Sequence, residues 1–174
     1  KIVAVGLNYA LHVTEHDPGR EVPTEPVIFM KPQSSLLAHG GVIELPPADR
    51  IDYEAELCIV MGKEAFRVSQ ADALSYVLGY TCGNDVSHRD YQRKDGQWVR
   101  AKGFNTFCPL GPVIETELDT GNVAVQSRLN GEIKQNSHTK HLIFNIPFLL
   151  EFITNVITLY PGDVIMTGTP EGVG

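Results

Sequence analysis

Cysteines and basic residues are scarce in this sequence. The first shortage argues against disulfide frameworks and cysteine-rich zinc sites, and the second against nucleic acid or anionic membranes as partners. The 174 residues include 3 cysteines, whose positions show no paired spacing of the kind found in disulfide frameworks or zinc sites. Lysine and arginine total 14 against 21 aspartates and glutamates, so the net charge is -7, which disfavours nucleic acid and anionic membranes as partners. No apolar run is long enough to span a bilayer. We therefore expect a cytoplasmic protein with reduced thiols that binds neither nucleic acid nor membrane.

The rest of the composition is that of one globular domain, with 43% apolar and 20% charged residues. Apolar patterns predict helices at 9–16, capped by Asn8, and at 144–159. The pair Asn130-Gly131 predicts a hairpin, because both central residues of a type I′ turn need positive φ. Further strands are predicted at 1–6, 27–30, 42–45, 52–60, 77–82 and 164–167. Strands and helices do not alternate regularly, so we predict a β-rich α+β fold around a mixed sheet or roll.

The strand predicted at 52–60 carries an unusual run of acids. Asp52, Glu54 and Glu56 fall on one face, with roughly 7 Å between successive members. At that spacing like charges repel, so the face is either well solvated or holds a cation. The same face turns apolar at Cys58, which indicates that the strand runs inward from Glu56. A carboxylate at that point suits a hard divalent ion such as Mg²⁺ or Mn²⁺.

Asp85 is the candidate for a third carboxylate. It follows an apolar strand and a Gly-Asn pair, at a position where strand ends often carry functional side chains. Taken alone, it is better explained as a turn residue that caps its own backbone. Together with Glu54 and Glu56 it completes a three-carboxylate site with positions left open for substrate and water.

Candidate catalytic groups lie elsewhere in the chain. His12 and Glu15 are three residues apart and share a helix face, as a base and its orienting acid or as a solvated surface pair. Lys102 lies in a polar break and is either a surface charge or a donor to an anionic oxygen.

Three more residues are candidates for substrate binding. Arg89 and Gln92 follow Asp85 closely and can hold a substrate carboxylate. Thr169 belongs to a Thr-Gly-Thr-Pro segment at a strand end, which offers hydroxyl and backbone N–H groups, although a plain turn explains it as well. Cys58, Cys82 and Cys108 lie in apolar surroundings and are expected to be buried and inert.

These elements together resemble the fumarylacetoacetate hydrolase family, specifically the catalytic domain of its small members. The resemblance extends over nearly the whole sequence and rests on blocks that occur in order. The blocks are Val5-Gly6-Leu7-Asn8-Tyr9 with His12, Phe29-Met30-Lys31-Pro32, Tyr53-Glu54-Ala55-Glu56-Leu57, Gly79-Tyr80, Asn84-Asp85-Val86-Ser87 with Arg89-Asp90 and Gln92, Lys102-Gly103-Phe104, Phe107-Cys108-Pro109-Leu110-Gly111-Pro112, Pro161-Gly162-Asp163-Val164-Ile165 and Thr167 to Gly174.

The resemblance implies roles for these residues. Glu54, Glu56 and Asp85 would bind Mg²⁺ or Mn²⁺, and His12 with Glu15 would form a base dyad on a lid. Lys102 and Gln92 would contact the oxygens of the substrate, with Thr169 nearby. The implied fold is a mixed β-sandwich roll of the family's C-terminal-domain type with a few short helices, forming a homodimer. Residues 1–174 would be a single catalytic domain, truncated at the C-terminus and lacking the small N-terminal domain of many members.

The resemblance also implies an activity on small-molecule 2-oxo acids. We expect a metal-dependent hydrolase that cleaves a C–C bond in acylpyruvate-type 2,4-dioxo acids through a metal-bound enolate. One alternative is an oxaloacetate decarboxylase, and another is an isomerase of 2-hydroxyhepta-2,4-diene-1,7-dioate in aromatic catabolism. A fourth interpretation, from a different class, is a non-catalytic protein that binds a dicarboxylate in the same cleft.

Overall fold

A computed structural model describes residues 1–174 and confirms a mixed, strand-rich fold with few short helices. Eleven strands follow one another along the chain: β1 Ile2–Gly6, β2 Val27–Lys31, β3 Leu36–Ala38, β4 Ile51–Asp52, β5 Ala55–Met61, β6 Val77–Asn84, β7 Ser87–His88, β8 Cys108–Leu110, β9 Ala124–Leu129, β10 Glu132–His138 and β11 Val164–Met166. Four α-helices are present: α1 Ala10–Thr14, α2 Arg89–Asp95, α3 Val99–Lys102 and α4 Ile146–Thr154. Short 3-10 helices occupy Gln33–Ser35, Ala73–Tyr76, Thr120–Asn122 and Thr139–His141.

Seven strands form the main sheet, in the order β2-β1-β11-β5-β6-β8-β3. The pairs β1–β11 and β3–β8 are parallel, and the other pairs are antiparallel. Strands β9 and β10 form a separate hairpin, and β4 pairs with β7. The predicted turn is confirmed, since Asn130 has φ of 53° and Gly131 has φ of 85°.

Both faces of the main sheet are covered. Val3 and Val5 of β1 point into the larger core, which α4 closes with Leu149, Leu150 and Ile153. The intervening residues of β1 point to a second, smaller cluster on the opposite face, because side chains alternate along a strand. The helix predicted at 144–159 is shorter at both ends, since α4 covers Ile146–Thr154. Pro147 lies in its first turn as expected, and the Asn145 side chain accepts a hydrogen bond from the Phe148 N–H. Helix α4 has 9 residues, and no helix of the chain has the length and apolar character needed to cross a membrane.

The helix predicted at 9–16 is shorter, and Asn8 does not cap it. Helix α1 covers Ala10–Thr14 and its N-cap is Tyr9. The buried Asn8 side chain instead donates to the carbonyls of Phe144 and Thr167, at 3.1 and 2.8 Å, and accepts from the Phe144 N–H at 2.8 Å. It therefore joins β1 to the segments that precede α4 and follow β11.

Three further predictions are wrong in detail. The segment 42–45 is not a strand, and Val42 and Leu45 are exposed because no neighbouring strand pairs with them. The strand at 52–60 is interrupted at Tyr53 and Glu54, where the chain passes from β4, paired with β7, to β5, paired with β6. Cys82 is exposed rather than buried.

Candidate metal centre and substrate pocket

The interruption between β4 and β5 brings three carboxylates together. The Glu54 N–H donates to Asn84 Oδ1 at 2.9 Å, and the Asp85 N–H donates to the Glu54 carbonyl at 2.9 Å. These bonds join the start of β5 to the end of β6. As a result, oxygens of Glu54, Glu56 and Asp85 all lie within 4.8 Å of one another, and all three residues are buried.

This cluster fits a hard divalent ion. Buried carboxylates this close repel one another, so the arrangement is costly unless a cation compensates it. Burial, followed by the charges of Asp85 and Glu54, raises the pKa of Glu56 well above its ordinary value. Three carboxylates without nitrogen or sulfur ligands match the preference of Mg²⁺ or Mn²⁺ for oxygen donors.

Two buried lysines donate hydrogen bonds to carboxylates of the cluster. Lys102 Nζ donates to Glu54 Oε2 at 2.9 Å and to Asp85 Oδ2 at 2.6 Å. Lys31 Nζ donates to the other oxygen of Asp85, at 2.6 Å. Sequence reasoning assigned no role to Lys31, although a lysine that ends an apolar strand directly before proline was a usable signal. Burial alone would lower the pKa of Lys102, but Asp85 and Glu54 raise it, so this ammonium is a donor and not a base.

The pKa values of Glu54 and Glu56 are shifted in opposite directions, although only Ala55 separates the two residues. Burial would raise the pKa of Glu54, but the Lys102 and Arg89 charges hold it well below its ordinary value. Glu56 has no lysine or arginine within ion-pair distance and accepts one hydrogen bond, from the Gly168 N–H at 2.7 Å. Glu56 is therefore the carboxylate that most lacks a positive partner.

Arg89 lies next to this cluster, and each of its three side-chain nitrogens donates a hydrogen bond to another side chain. Its Nε donates to Asp52 Oδ2 at 2.6 Å, its Nη2 to Glu54 Oε1 at 2.6 Å, and its Nη1 to Gln92 Oε1 at 2.7 Å. The first consequence is that Arg89 fixes Glu54. The second is that Gln92 is held by its carbonyl oxygen, which leaves its NH₂ group free to donate.

The predicted dyad is assembled on α1 and the residue that ends it. His12 Nδ1 lies 3.1 Å from Glu15 Oε2, and both side chains are partly exposed. Glu15 Oε1 accepts from the Gly172 N–H at 2.8 Å, so the segment that follows β11 orients the acid. A proton on Nδ1 that is shared with Glu15 leaves Nε2 as the free acceptor of the ring.

A cavity of about 320 Å³ connects these groups. Of the nine candidate residues, six line it: His12, Glu54, Arg89, Gln92, Lys102 and Thr169. Glu15 and Asp85 do not line the cavity, but they hydrogen-bond to the lining residues His12 and Lys102. Glu56 does not line it either, and a carboxylate oxygen of Glu56 lies within 4.8 Å of one of Glu54, which does. Five lysines and arginines line the cavity against two acids, although the chain as a whole is acidic. The additional basic residues that sequence reasoning missed are Arg20, Arg50 and Arg93, and the cavity is accordingly suited to an anionic ligand.

Replacing Gly172 with alanine is expected to damage the orientation of Glu15. Gly172 has φ of +93°, and an added Cβ would lie 2.2 Å from the Lys134 carbonyl oxygen. We expect Gly172→Ala to lose about 2–4 kcal/mol of unfolding free energy, measured by denaturant titration. Gly162→Ala is the matched control, because its φ is +82° but no atom lies within 4 Å of the added Cβ. Equal losses in the two variants would contradict a role for the Lys134 contact.

The chain was compared with known proteins. The family model described as fumarylacetoacetate (FAA) hydrolase C-terminal matches residues 1–174. An uncharacterised protein of Methanocaldococcus jannaschii is 50% identical over the whole chain and 73% of its own length. The mitochondrial oxaloacetate tautomerase Fahd2a of Rattus norvegicus is 42% identical over the whole chain and 56% of its length.

A solved structure has the same fold. The 5-carboxymethyl-2-hydroxymuconate delta-isomerase of Mycobacterium smegmatis superposes with a TM-score of 0.92 at 51% identity, covering 100% of this chain and 69% of that one. All three of these proteins are longer than the chain. The chain spans 73% of the Methanocaldococcus jannaschii protein, 56% of the rat tautomerase and 69% of the mycobacterial isomerase. On the match over all residues and on these identities, the chain belongs to the fumarylacetoacetate hydrolase family and carries its C-terminal domain.

Proposed function

We propose that this protein is a divalent-metal-dependent enzyme that forms the enolate of a 2-oxo acid and moves a proton on it. The observation that carries the proposal is that one basic cavity is lined both by His12 of the His12–Glu15 dyad and by Glu54 of the Glu54–Glu56–Asp85 cluster. The names of the rat tautomerase and the mycobacterial isomerase support proton transfer as the first candidate reaction. The C–C hydrolysis expected from the sequence is the second candidate, because the same dyad can activate water.

The chain's own residues account for the proton transfer. His12 Nε2 removes a proton from the carbon beside the 2-oxo group, while Glu15 stabilises the imidazolium that forms. Lys102 and the Gln92 NH₂ group donate to the oxygens that gain negative charge. Mg²⁺ or Mn²⁺ held by Glu54, Glu56 and Asp85 would supply Lewis-acid stabilisation of that charge. Return of the proton from His12 to a different atom completes tautomerisation or isomerisation.

In hydrolysis, His12 would instead take its proton from water, which attacks the distal carbonyl. Direct loss of CO₂ from oxaloacetate needs no such base, which makes decarboxylation a separable outcome. Thr169 as a substrate contact, the single-domain assignment, the homodimer and the cytoplasmic location stay predictions.

The first test is a panel of three reactions on the protein with Mg²⁺, Mn²⁺ or chelator. Keto–enol conversion of oxaloacetate and cleavage of acetylpyruvate are followed by ultraviolet absorbance, and CO₂ release from oxaloacetate is followed separately. We expect metal-dependent acceleration of keto–enol conversion as the dominant signal. Dominant acetylpyruvate cleavage would select the hydrolase, and dominant CO₂ release the decarboxylase. Tight metal binding with no acceleration would favour a binding protein and contradict the proposal.

A further inference from the structure

The edge of β5 between the two acidic residues is completed by side chains and not by a strand. Strand β11 pairs with β5 only from Val60 to Cys58. Beyond it, the Thr167 N–H and hydroxyl donate to the Leu57 carbonyl at 3.2 and 2.8 Å, and the Thr169 hydroxyl donates to the Ala55 carbonyl at 2.9 Å. The Ala55 peptide, between Glu54 and Glu56, therefore depends on side chains for its hydrogen bonds.

Gln135 supplies the remaining bonds at this edge. It is fully buried on β10, next to an irregularity in the β9–β10 register that falls between Ile133 and Gln135. Its Oε1 accepts from the Ala55 N–H at 2.9 Å. Its Nε2 donates to Thr169 Oγ1 at 2.7 Å and to the Pro170 carbonyl at 2.9 Å. Both amide hydrogens are thus used, so the side chain has one orientation.

These contacts determine how the Thr169 hydroxyl can interact with a ligand. Its hydrogen is directed to the Ala55 carbonyl, and one of its lone pairs accepts from Gln135. Only an acceptor site is left on the oxygen. Thr169 lines the cavity, whereas Gln135 does not.

We propose that Gln135 is a positioning residue, which holds Thr169 in the substrate pocket with its hydroxyl hydrogen turned away from the ligand. This inference rests on the proposed function, because it assigns Thr169 to the substrate side of the same site. Gln135 touches neither substrate nor metal and acts through Thr169.

Glu54 and Glu56 have partners other than Gln135, so positioning Thr169 can be distinguished from supporting the metal site. Glu54 is fixed independently by Arg89, Lys102 and Asn84. Glu56 is fixed by the Gly168 N–H. Thr169, by contrast, has no side-chain partner except Gln135. Loss of Gln135 should therefore weaken substrate binding far more than metal binding.

The experiment compares Gln135→Met with the unaltered protein. Mn²⁺ affinity is measured by electron paramagnetic resonance, and KM and kcat are measured on the substrate that is most active in the panel. We expect KM to rise about 10-fold or more, in the range seen when a partner that orients a site residue is lost, with Mn²⁺ affinity changed by less than about 3-fold. Gln126→Met is the matched control, because Gln126 is exposed on the partner strand β9 and contacts Asn136 and Arg128.

A double-mutant cycle tests whether the effect passes through Thr169. In a Thr169→Val background, Gln135→Met should add little to KM, because the Gln135–Thr169 hydrogen bond is already absent. The bonds to Ala55 and Pro170 that Gln135→Met also removes are not expected to change substrate binding. Additive effects, an unchanged KM, or equal losses of Mn²⁺ and substrate affinity would overturn the proposal. The last of these would show that Gln135 only supports β5.

A measurement without substitution keeps the inference testable if Gln135→Met fails to fold. In the unaltered protein, the Ala55 amide should exchange its hydrogen slowly, because Gln135 accepts from it in the interior. Rapid exchange of this amide would exclude the contact. If none of the panel substrates reacts, the proposed function fails, and oxalate binding in the presence of Mn²⁺ then replaces KM as the readout for Gln135→Met.

Discussion

Glu56→Gln is expected to abolish metal-dependent turnover and to leave the metal-free protein more stable than the unaltered one. The substitution removes one of three oxygen ligands, so Mn²⁺ affinity should fall by about 100-fold or more, since even groups that only orient a ligand contribute about 10–100-fold. It also removes the carboxylate that lacks a positive partner, which relieves repulsion from Glu54 and Asp85. We expect a gain on the order of 1–3 kcal/mol in unfolding free energy, measured in chelator at mildly alkaline pH.

The pH dependence has a defined sign. Burial and the neighbouring carboxylates raise the pKa of Glu56 in the metal-free protein, so the folded state binds this proton more tightly than the unfolded chain does. The stability that Glu56 contributes therefore falls as pH rises from the ordinary carboxyl range through the raised pKa. Mn²⁺ affinity should strengthen over the same range, because metal binding displaces the proton.

Glu64→Gln is the control for this prediction, since Glu64 is exposed and belongs neither to the carboxylate cluster nor to the lining of the cavity. It removes the same charge from the chain and should change neither Mn²⁺ affinity nor turnover. Metal-dependent activity that persists in Glu56→Gln would exclude Glu56 as a ligand.

His12→Ala is expected to lower kcat/KM by about 10²–10⁴-fold, the usual contribution of a positioned general base. Its Mn²⁺ affinity should not change, because His12 bonds to Glu15 and to none of the three clustered carboxylates. Glu15→Gln should give a smaller loss, since the imidazole keeps a hydrogen-bond partner but loses the charge that stabilises its protonated form. Steady-state kinetics with saturating metal provide the measurement.

His39→Ala is the matched control, an exposed histidine outside the cavity. The reactions respond differently to His12→Ala, because tautomerisation and hydrolysis both need the base and CO₂ loss does not. CO₂ release that survives alone would identify decarboxylation as independent of the dyad. Full keto–enol activity in His12→Ala would show that another group moves the proton.

Local patterns predicted those parts of the fold that depend on neighbours in the sequence. The hairpin at Asn130-Gly131 and the helix beginning near Pro147 each need only a few adjacent residues to form. Asn8 was misassigned because its partners, Phe144 and Thr167, lie far along the chain. The segment 42–45 has the apolar character of a strand, but a strand also needs a partner, which no local pattern reveals.

The site likewise combines features that follow from local sequence with contacts that only the folded chain creates. The alternation expected over 52–60 placed Glu54 and Glu56 together. Glu54 lies just before β5 rather than in it, yet oxygens of Glu54, Glu56 and Asp85 do lie within 4.8 Å of one another. The connections that hold them were not predictable, because Lys31 and Gln135 come from other strands and reach the site only in the folded chain. Pattern left His12 and Lys102 each with a functional and a surface alternative, and the family resemblance favoured the functional one.

The parallel pairing of β1 with β11 has a consequence for how the protein folds. These strands are the first and last of the main sheet, yet they lie side by side within it, so their contact closes a loop of nearly the whole chain. Closing such a loop carries an entropic cost that is repaid only after the intervening segments are in place, and folds rich in distant contacts form slowly. His12 follows β1, and Gly168 and Gly172 follow β11. We therefore expect the carboxylates beside the β5–β6 pair to meet early in folding, and the base that serves them to be positioned after β1 and β11 have paired.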